Sequence, residues 1–327
     1  MDLLRDADID PAPLVGRRVA IIGFGNQGRA QALNLHDGGV DVVVGLRPGS
    51  DSAPEVERAG IAHLPPGEAA AGADLVMLLA PDETLAEIYA ELEPHIRQGA
   101  ALGFSHGLAI RFGLIEPRAD LDVIMVAPKG PGTALRSLYV EGRGMVALWA
   151  VSQDASGSAR GLALAYGAAI GCARAGLIAS SFAEECDADL FNEAAVVWGA
   201  VPEILIAGFD TLVAGGVSPE VAYMECVGEL KLLAELVEAR GIAGMREAIS
   251  NTAELGATLG GPQIVDDALR ARMADILGSI RSGDFADELR NEYREDYPRL
   301  RAARLRAKTM KVEQAGAAIA RLDNPKT

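Results

Sequence analysis

The sequence predicts an α/β domain followed by an all-helical domain. Apolar, strand-like runs alternate with helical segments over the first half, and a glycine-rich turn follows the first long run. From about Ser181 onward, nearly every segment has a 3.6-residue period instead. Strands that alternate with helices are typical of a parallel sheet covered on both faces. We therefore expect one domain at residues 1–181 and a second at residues 182–327.

The expected strands are short apolar runs bounded by turn residues. They are "RRVAIIGFG", "VDVVVGLR", "GADLVMLLAP", "GAALGFS", "LDVIMVAPKGPG" and "MVALWAV". Helical segments lie between them, such as "GRAQALNLHDGG" and "ETLAEIYAELEPHI". In the second half, helical periodicity covers residues 182–214, 218–239, 242–248, 263–281 and 284–320. These segments predict about six to eight helices and no strands.

The composition argues against nucleic acid and membrane partners. Charged residues make up 23% of the chain, and the net charge is −16. An acidic surface repels phosphate backbones, so we interpret the basic tail "RLRAARLRAKTMKVEQ" as a solvated helix face or a subunit contact. No run reaches the roughly 18 uncharged apolar residues of a membrane span.

The cysteine and histidine contents indicate the compartment and the kind of metal. The three cysteines, Cys172, Cys186 and Cys226, have no CxxC spacing, which favours a reducing cytoplasm over a disulfide framework. Four histidines without a Cys/His cluster do not indicate a zinc site. We expect any metal to be a hard ion held by oxygen atoms.

The glycine-rich turn predicts a dinucleotide site. "GFGNQG" places Gly23, Gly25 and Gly28 in the G-x-G-x-x-G pattern, directly after an apolar strand and at the start of a helix. Glycines allow a tight turn and the close approach of a pyrophosphate, and the helix N-terminus supplies N–H donors. The alternative is a tight βα turn that binds no ligand.

The end of the second predicted strand indicates which dinucleotide is bound. An NAD enzyme usually carries an acid there for the ribose 2′-hydroxyl, whereas this chain has Arg47. Arg47, Ser50 and Ser52 offer a cation and two hydroxyls to a 2′-phosphate, which favours NADP(H). Asp51 in the same loop would repel that phosphate, and the serines are also ordinary turn residues.

Two helical segments each carry a pair of carboxylates four residues apart, and we interpret the four as ligands of a divalent metal. Asp189 and Glu193 form one pair, and Glu225 and Glu229 form the other. At this spacing each pair shares a helix face with apolar residues, such as the stripe 232–236. Carboxylates buried there would need a proton, a basic partner or a metal. Magnesium prefers such oxygen ligands, although carboxylate pairs are more often solvated.

Several longer motifs resemble those of the ketol-acid reductoisomerase family. In order, they are "GFGNQGRAQALNL", "VVVGLRPGS", "MVAPKGPGT", "YVEGRG", "DLFNEAAV", "AGFDTLV", "ECVGELKLL" and "GMREAISNTAELG". The resemblance covers residues 14 to 285, and the length fits the short form of the family. It implies a Rossmann-like NADP-binding domain and a knotted helical domain that binds metal and substrate. It also implies a homodimer with interlocked helical domains, and higher assemblies of such dimers.

The resemblance also implies a reaction. The family converts 2-acetolactate or 2-aceto-2-hydroxybutyrate into 2,3-dihydroxy-3-alkyl acids in branched-chain amino acid synthesis. An alkyl group migrates under two magnesium ions, and NADPH then reduces the 2-keto group. Two metals suit this chemistry because the hydroxyl must be deprotonated while the carbonyl is polarised.

The family's site residues carry over by position. The implied metal ligands are Asp189, Glu193, Glu225 and Glu229, with Glu229 also a proton relay. The implied catalytic residues are His106, Lys129 and Glu229, and Ser250 is the substrate contact, although "SNTAE" also resembles a helix cap with Asn251 and Glu254. The implied cofactor contacts, with the three motif glycines, are Phe24, Gly25, Asn26, Gln27, Arg47, Ser50, Ser52, Asp82, Glu83, Thr84, Leu85 and Gly132.

Departures from the family pattern leave other functions open. Asn251, Leu255 and Leu85 stand where the family usually has an acid, a tyrosine and a glutamine. One alternative is a related enzyme that acts on another 2-keto acid or acetohydroxy acid. Another is a non-catalytic cofactor-binding relative. A third is a dehydrogenase of the 6-phosphogluconate and 3-hydroxy acid group, which shares the two-domain plan.

Overall fold

The structure is a computed structural model that describes residues 3–323. The chain divides into two compact units, and the division falls after Ala188. The predicted boundary at residues 181 and 182 remains a prediction. Residues 1–2 and 324–327 of the two predicted domains lie outside the described part of the chain.

The first unit is built on a nine-stranded sheet. Its strands are β1 (Leu3–Leu4), β2 (Arg18–Ile22), β3 (Asp41–Gly45), β4 (Ala62–Leu64), β5 (Leu75–Leu78), β6 (Ala101–Phe104), β7 (Asp122–Pro128), β8 (Ala147–Gln153) and β9 (Leu177–Ala179). The six long predicted strands are β2, β3, β5, β6, β7 and β8. Sequence analysis missed β1, β4 and β9, because two or three residues are too short for a periodic signal.

Seven helices of this unit accompany the strands. They are α1 (Asn26–Asp37), α2 (Ala53–Arg58), α3 (Pro66–Ala71), α4 (Leu85–Leu92), α5 (Leu108–Arg111), α6 (Gly132–Val140) and α7 (Ala159–Ala169). The predicted helix "GRAQALNLHDGG", residues 28–39, corresponds to α1, which begins at Asn26 and has Gly38 as its C-cap. The predicted helix at residues 83–96 is shorter, because 3₁₀ turns replace its two ends.

The strand order predicts a crevice at the carboxyl ends of β2 and β5. The order is β1-β9-β8-β7-β6-β5-β2-β3-β4. The chain runs outward from β2 to β4 and then returns to the other side of β2 as β5, so the winding direction changes between β2 and β5. Ligands of open α/β sheets bind outside the carboxyl ends of the strands at such a switch point.

The sheet is mostly but not wholly parallel. Pairing is antiparallel between β7 and β8 and between β1 and β9, whereas the other described pairs are parallel. This corrects the expectation of an all-parallel sheet. The predicted run "MVALWAV" forms β8, which pairs antiparallel with β7 although α6 lies between the two strands, so the presence of an intervening helix does not fix the strand direction.

Apolar side chains cover both faces of the sheet. Along β2, Val19 and Ile21 belong to the core on one face, and Ala20 and Ile22 belong to the core on the other. Helices α1 and α7 cover the first face, and α3 and α4 cover the second. Burial on both faces explains why the strands read as continuous apolar runs rather than alternating ones.

The second unit is helical. One helix, α8 (Phe182–Phe191), spans the division between the units, and a π-helix at Asn192–Val196 continues it. The remaining helices are α9 (Ala200–Ala214), α10 (Pro219–Tyr223), a π-helix at Met224–Gly228, α11 (Leu230–Ala248), α12 (Asn251–Ile264), α13 (Asp267–Ser282), α14 (Asp284–Arg294), α15 (Pro298–Lys308) and α16 (Lys311–Asp323). Residues 182–323 thus contain nine α-helices, because π turns divide two of the long periodic segments.

Helices α9, α10 and α16 form a small core of their own. Phe209 is fully buried there with Ala222, Val312 and Ala315. The basic helix α15 is exposed along its length, and Arg301 pairs with Asp296. Exposure of this kind is consistent with the solvated face expected of the basic tail.

One helical stretch, residues 182–214, is long and apolar enough to span a bilayer by length and composition alone. The mean hydropathy of its most apolar window is 1.6, and 6% of that window is buried. Glu203 and Asp210 lie within this stretch, so the expectation about uncharged runs holds. Length and composition are weak evidence, because helices that pack against other protein have the same features.

Candidate active site

The glycine-rich turn has the geometry that its sequence predicts. Gly23 has φ +99°, and a Cβ atom there would lie 3.0 Å from backbone atoms of Leu79 and Ala80. A Cβ atom at Gly28 would lie 2.2 Å from the Gly23 carbonyl oxygen. Gly25 is the N-cap of α1. Both close approaches require glycine: the one at Gly23 brings the turn against the chain after β5, and the one at Gly28 brings the first turn of α1 against the end of β2.

A cleft of about 290 Å³ opens at the carboxyl ends of β2, β5 and β6. It is lined by Gly25, Asn26, Gln27, Leu78, Leu79, Ala80, Pro81, Asp82, Leu85, Phe104, Ser105 and His106. The lining therefore includes five predicted cofactor residues and the predicted catalytic histidine. This is the position where an open α/β sheet binds a dinucleotide, and the N-terminus of α1 supplies N–H donors to a pyrophosphate there.

A second helix N-terminus is held beside the glycine-rich turn. The backbone N–H of Thr133, in the first turn of α6, donates to Asn26 Oδ1 at 3.2 Å. A Cβ atom at Gly132 would lie 1.9 Å from the Asn26 carbonyl oxygen. Gly132, a predicted cofactor residue, thus allows α6 to contact the start of α1.

Other predicted cofactor residues lie near the cleft but do not line it. Phe24 is buried within the core. Glu83 and Thr84 belong to a 3₁₀ turn at Asp82–Thr84, where the Thr84 hydroxyl donates to the Pro81 carbonyl. Leu85, which does line the cleft and stands where the family usually has glutamine, is 2% exposed.

The loop between β3 and α2 holds the residues that we expect to recognise a 2′-phosphate. Arg47 and Asp51 are exposed, and Ser50 and Ser52 are partly buried. The backbone N–H of Ser52 donates to Ser50 Oγ at 3.3 Å. Nearby, Arg29 of α1 forms an ion pair with Glu55 of α2, which ties the two helices that border the loop.

His106 and Lys129 meet at one buried carboxylate, Glu185. Lys129 Nζ donates to Glu185 Oε1 at 2.8 Å. His106 Nδ1 lies 3.1 Å from Glu185 Oε2, and the backbone N–H of Gly107 donates to the same oxygen at 2.8 Å. The Glu185 side chain is 1% exposed. The loops after β6 and β7 therefore place both predicted catalytic cations around a single anion.

Charges in this cluster stabilise one another. Burial by itself would lower the pKa of His106, but hydrogen bonds to Cys186 and Glu185 and the charge of Asp82 raise it well above its usual value. Burial would raise the pKa of Glu185, but His106 and Lys129 outweigh it and lower that pKa. Both pKa shifts favour the charged pair, an imidazolium that faces a carboxylate.

Glu185 was not predicted from the sequence. A signal was present, because Glu185, Asp189 and Glu193 follow one another at intervals of four residues. This spacing places Glu185 and Asp189 one turn apart on the same face of α8. Glu185 stood next to Glu184 in an acidic run, where residue type alone did not distinguish the buried acid from the exposed one.

Both predicted carboxylate pairs overlap π-helical turns. Glu193 lies within the π-helix at Asn192–Val196, and Glu225 lies within the one at Met224–Gly228, directly before Glu229. π turns are rare and often occur at functional sites. They widen the helix to more than the usual 3.6 residues per turn, so the simple four-residue stacking expected from the sequence does not hold there.

Three of the four carboxylates are exposed in the single chain. Glu193, Glu225 and Glu229 are exposed in this chain, and Asp189 is partly buried. The apolar stripe beside the second pair is exposed as well, since Leu232 is 56% exposed and Leu233 45%. Among the described residues of the helical unit, no three of the four carboxylates come within reach of one ion.

Ser250 acts as a helix cap in the structure. Its Oγ accepts the backbone N–H of Ala253 at 3.2 Å, which makes Ser250 the N-cap of α12. The cap is thus Ser250 itself rather than Asn251, which is the first residue of the helix. Asn251 and Leu255 are both exposed.

The chain matches two family models that together cover most of its length. Residues 13–176 match the acetohydroxy acid isomeroreductase NADPH-binding domain, and residues 182–324 match the ketol-acid reductoisomerase C-terminal domain. The whole chain is similar to a solved NADH-preferring ketol-acid reductoisomerase from an uncultured archaean. The sequence identity is 41%, the TM-score is 0.95, and the match covers 98% of this chain and 99% of that one.

More distant solved structures share only the fold. A semialdehyde dehydrogenase NAD-binding protein from Cupriavidus necator is 19% identical, with a TM-score of 0.59 over 82% of this chain and 99% of that one. A pyrroline carboxylate reductase from Plasmodium falciparum is 12% identical, with a TM-score of 0.52 over 83% and 98%.

These matches set aside the non-catalytic relative and the hydroxy acid dehydrogenase group as alternatives. They confirm the resemblance, the Rossmann-like first domain and the helical second domain. The chain therefore belongs to the ketol-acid reductoisomerase family and is an NAD(P)-dependent oxidoreductase.

Proposed function

We propose that the chain catalyses the magnesium-dependent isomerisation and NADPH reduction of 2-acetolactate and 2-aceto-2-hydroxybutyrate. The products are 2,3-dihydroxy-3-alkyl acids of branched-chain amino acid biosynthesis. One observation carries the proposal: in a chain of this family, Glu185 holds His106 and Lys129 together next to the dinucleotide cleft. Two cations and a carboxylate beside this cleft support the proposal that a 2-keto acid meets the nicotinamide there.

The donor set suits magnesium. Asp189, Glu193, Glu225 and Glu229 offer carboxylate oxygens, which are the ligands that magnesium prefers, and the chain provides them from two helical segments that each contain a π turn. Bound magnesium would polarise the substrate carbonyl and stabilise the deprotonated hydroxyl, and bound NADPH would supply the hydride. We assign these four residues as the metal ligands, two ions per site.

The chain's own residues would orient the substrate and hold protons. Lys129, paired with Glu185, places a positive charge that offsets the nearby carboxylates. His106 holds a proton at Nδ1 against Glu185 and presents its ring to the cleft. Glu229 is the residue that we assign to proton relay, and Ser250 is the one that we assign to the substrate carboxylate. In the latter role Ser250 would have to bind substrate as well as cap α12.

NADP(H) is the cofactor that we assign. The Arg47 side chain makes no hydrogen bond or ion pair with other residues between 3 and 323, and Arg47 stands with Ser50 and Ser52 after the end of β3. A guanidinium suits a ribose 2′-phosphate. The opposing consideration is Asp51, which is also exposed, and the archaeal relative is described as NADH-preferring. A preference for NADH is the second candidate.

A homodimer would cover the apolar surface of the helical unit. Large apolar side chains are exposed there, among them Trp198 at 67%, Ile242 at 65% and Leu259 at 62%. Extended exposed apolar surface marks a protein or membrane contact. We propose that a second copy of the chain covers it through interlocked helical units, and that the knot of the family is present. The exposed Glu225 and Glu229 would then face the partner.

The cytoplasm is the compartment that we propose. Cys172, Cys186 and Cys226 are all free thiols. Free thiols persist in a reducing compartment.

The test is oxidation of NADPH and NADH with 2-acetolactate, measured with and without magnesium. Wild type should turn over only with magnesium, and Glu225→Gln should lose at least about 100-fold in kcat because a metal ligand is removed. Glu238→Gln, which changes an exposed acid on α11, is the matched control and should retain wild-type activity. Arg47→Ala should raise KM for NADPH and leave KM for NADH nearly unchanged.

Three outcomes would change the proposal. Magnesium-independent turnover would contradict the metal assignment. Failure on acetolactate with magnesium-dependent turnover of another 2-keto acid would identify a related enzyme with a changed substrate, as the departures at Asn251 and Leu255 allow. A lower KM for NADH than for NADPH in wild type would reverse the cofactor assignment.

A further inference from the structure

A chain of buried hydrogen bonds runs beneath the cleft and is centred on Gln31. Gln31 lies in α1 and is 0% exposed. Its Nε2 donates to Ser105 Oγ at 2.9 Å and to Gln27 Oε1 at 3.1 Å. Its Oε1 accepts the Tyr166 hydroxyl, from α7, at 2.7 Å. One side chain thus links α1, α7 and the loop after β6.

The directions of these hydrogen bonds are fixed by two backbone carbonyls. Ser105 Oγ lies 2.9 Å from the Val126 carbonyl oxygen, which can only accept, so the single hydroxyl proton of Ser105 must point there. Ser105 must then accept a proton from Gln31, and the facing atom of Gln31 is its amide nitrogen.

A second carbonyl leads to the same orientation. Gln27 lies 2.9 Å from the Gly130 carbonyl oxygen, so its amide nitrogen faces that carbonyl and its oxygen faces Gln31. This again requires a nitrogen on Gln31. Its oxygen is left for the hydroxyl of Tyr166, which is fully buried. The network is satisfied in one arrangement only, and such networks hold their members in place.

The ends of the network are the neighbours of the site residues. Ser105 directly precedes His106, and Gly130 directly follows Lys129. Gln27 and Ser105 themselves line the cleft. Gln31 has no hydrogen bond to His106 or Lys129. Its hydrogen bonds reach Ser105, next to His106, and through Gln27 they reach Gly130, next to Lys129.

We propose that Gln31 is a positioning residue that sets the cofactor turn and the His106 and Lys129 loops in one fixed relation. The expected effect on turnover rests on the proposed function, whereas the expected effect on cofactor binding does not. Without the Gln31 amide, Gln27 Oε1 and Ser105 Oγ both lose the N–H donor that holds them. Misplacement by about 1 Å costs catalysis heavily even when the chemistry is untouched.

Asn34 provides a matched control on the same helix. It is also 0% exposed, and its amide donates to the Ile170 carbonyl at 3.0 Å while its oxygen accepts from Arg136 at 2.9 Å. None of these partners lines the cleft. Gln31→Met and Asn34→Leu each replace a buried amide by an apolar side chain of similar shape, so each should lower the thermal stability.

The experiment measures the Kd of NADPH by its fluorescence, and kcat and KM with 2-acetolactate, at a temperature where all variants are folded. Gln31→Met should raise the cofactor Kd about 3- to 10-fold and lower kcat about 10-fold or more, with KM for acetolactate changed less. Asn34→Leu should stay within about twofold of wild type in all three constants. Equal losses in the two variants, or a Gln31→Met enzyme like wild type, would overturn the proposal.

Tyr166→Phe covers the case in which Gln31→Met does not fold. It removes the hydroxyl that donates to Gln31 Oε1, so the buried amide loses its link to α7 and the cofactor Kd should rise about two- to fivefold. A wild-type Kd and kcat in Tyr166→Phe would contradict the positioning role. If wild-type protein binds NADPH but does not turn over acetolactate, the proposed function fails, and the Kd values alone decide the role of Gln31.

Discussion

Glu185 shows how a single buried acid can organise a site. Its two oxygens accept three donors, from Lys129, His106 and the Gly107 backbone. A carboxylate can satisfy all three because it only accepts. Removal of its charge would take the Glu185 counter-charge away from two cations that lie close together, which is the costly half of any buried ion pair.

Glu185→Gln should therefore lower both stability and activity. The amide has one acceptor, so either Lys129 or His106 faces an N–H group. We expect a loss of about 3 kcal/mol in the free energy of unfolding and at least about 10-fold in kcat. Chemical denaturation and steady-state kinetics measure the two effects.

The control is Asp187→Asn on the same helix, where Asp187 pairs with Arg111 at 3.4 Å. It should lose less stability and keep kcat within about twofold, since the longer ion pair lies outside the His106 and Lys129 cluster. Equal kcat values in Glu185→Gln and wild type would show that the cluster is structural only.

At the scale of elements, the cofactor cleft depends on how two helix N-termini meet. Helix α6 approaches α1 so closely that only glycine fits at its first residue, and the Thr133 N–H then reaches Asn26. The obstacle to a larger residue is backbone, which cannot move aside as a flexible side chain could. Cofactor affinity and the packing of α6 should therefore change together.

Gly132→Ala should separate these two helices. We expect a loss of about 1–3 kcal/mol in stability, as for other overpacked sites, and a weaker NADPH complex. Gly278→Ala is the control, since a Cβ atom at Gly278 meets open space within α13 and should be neutral or slightly stabilising. Thermal denaturation and NADPH titration test both variants. A Gly132→Ala protein with the stability and NADPH affinity of wild type would contradict the close contact.

At the scale of the whole molecule, the helical unit has too little core for its apolar content. Its described core is small, with Phe209 as its largest member, while many large side chains remain exposed. The apolar stretch at residues 182–214 has 6% of its most apolar window buried. A protein partner explains this surface by the same physics that buries a core.

Leu259→Glu should weaken the proposed dimer. A charge in place of an exposed apolar side chain at the interface should raise the dimer Kd by about 10-fold or more and reduce activity in dilute protein. Val140→Glu is the control, because it places the same charge at an exposed position in the first unit. Val140 is 67% exposed and Leu259 is 62% exposed, and Val140→Glu should leave the molecular mass of the assembly unchanged. Sedimentation equilibrium decides, and a monomeric wild type would contradict the dimer.

Much of the site could be predicted from the sequence because its signals are local. Backbone sterics and burial act within a few residues of chain. They make three features readable in the sequence: the glycines at 23 and 28, the six long strands, and the helical period of the second half. His106 and Lys129 were found by motif. The pairing direction of β8 and the three short strands depend on distant partners, so no local pattern carried them.

The sequence by itself determined the two-domain plan, the family and the residue types available for chemistry. The tertiary structure alone decided that Glu185, and not its neighbour Glu184, is the buried anion, because burial depends on which strand ends lie over the helix. It also decided that Gln31 joins the cofactor turn to the site loops. The exposure of Glu225 and Glu229 was likewise beyond the sequence, because periodicity shows that a helix face is apolar but not what covers it.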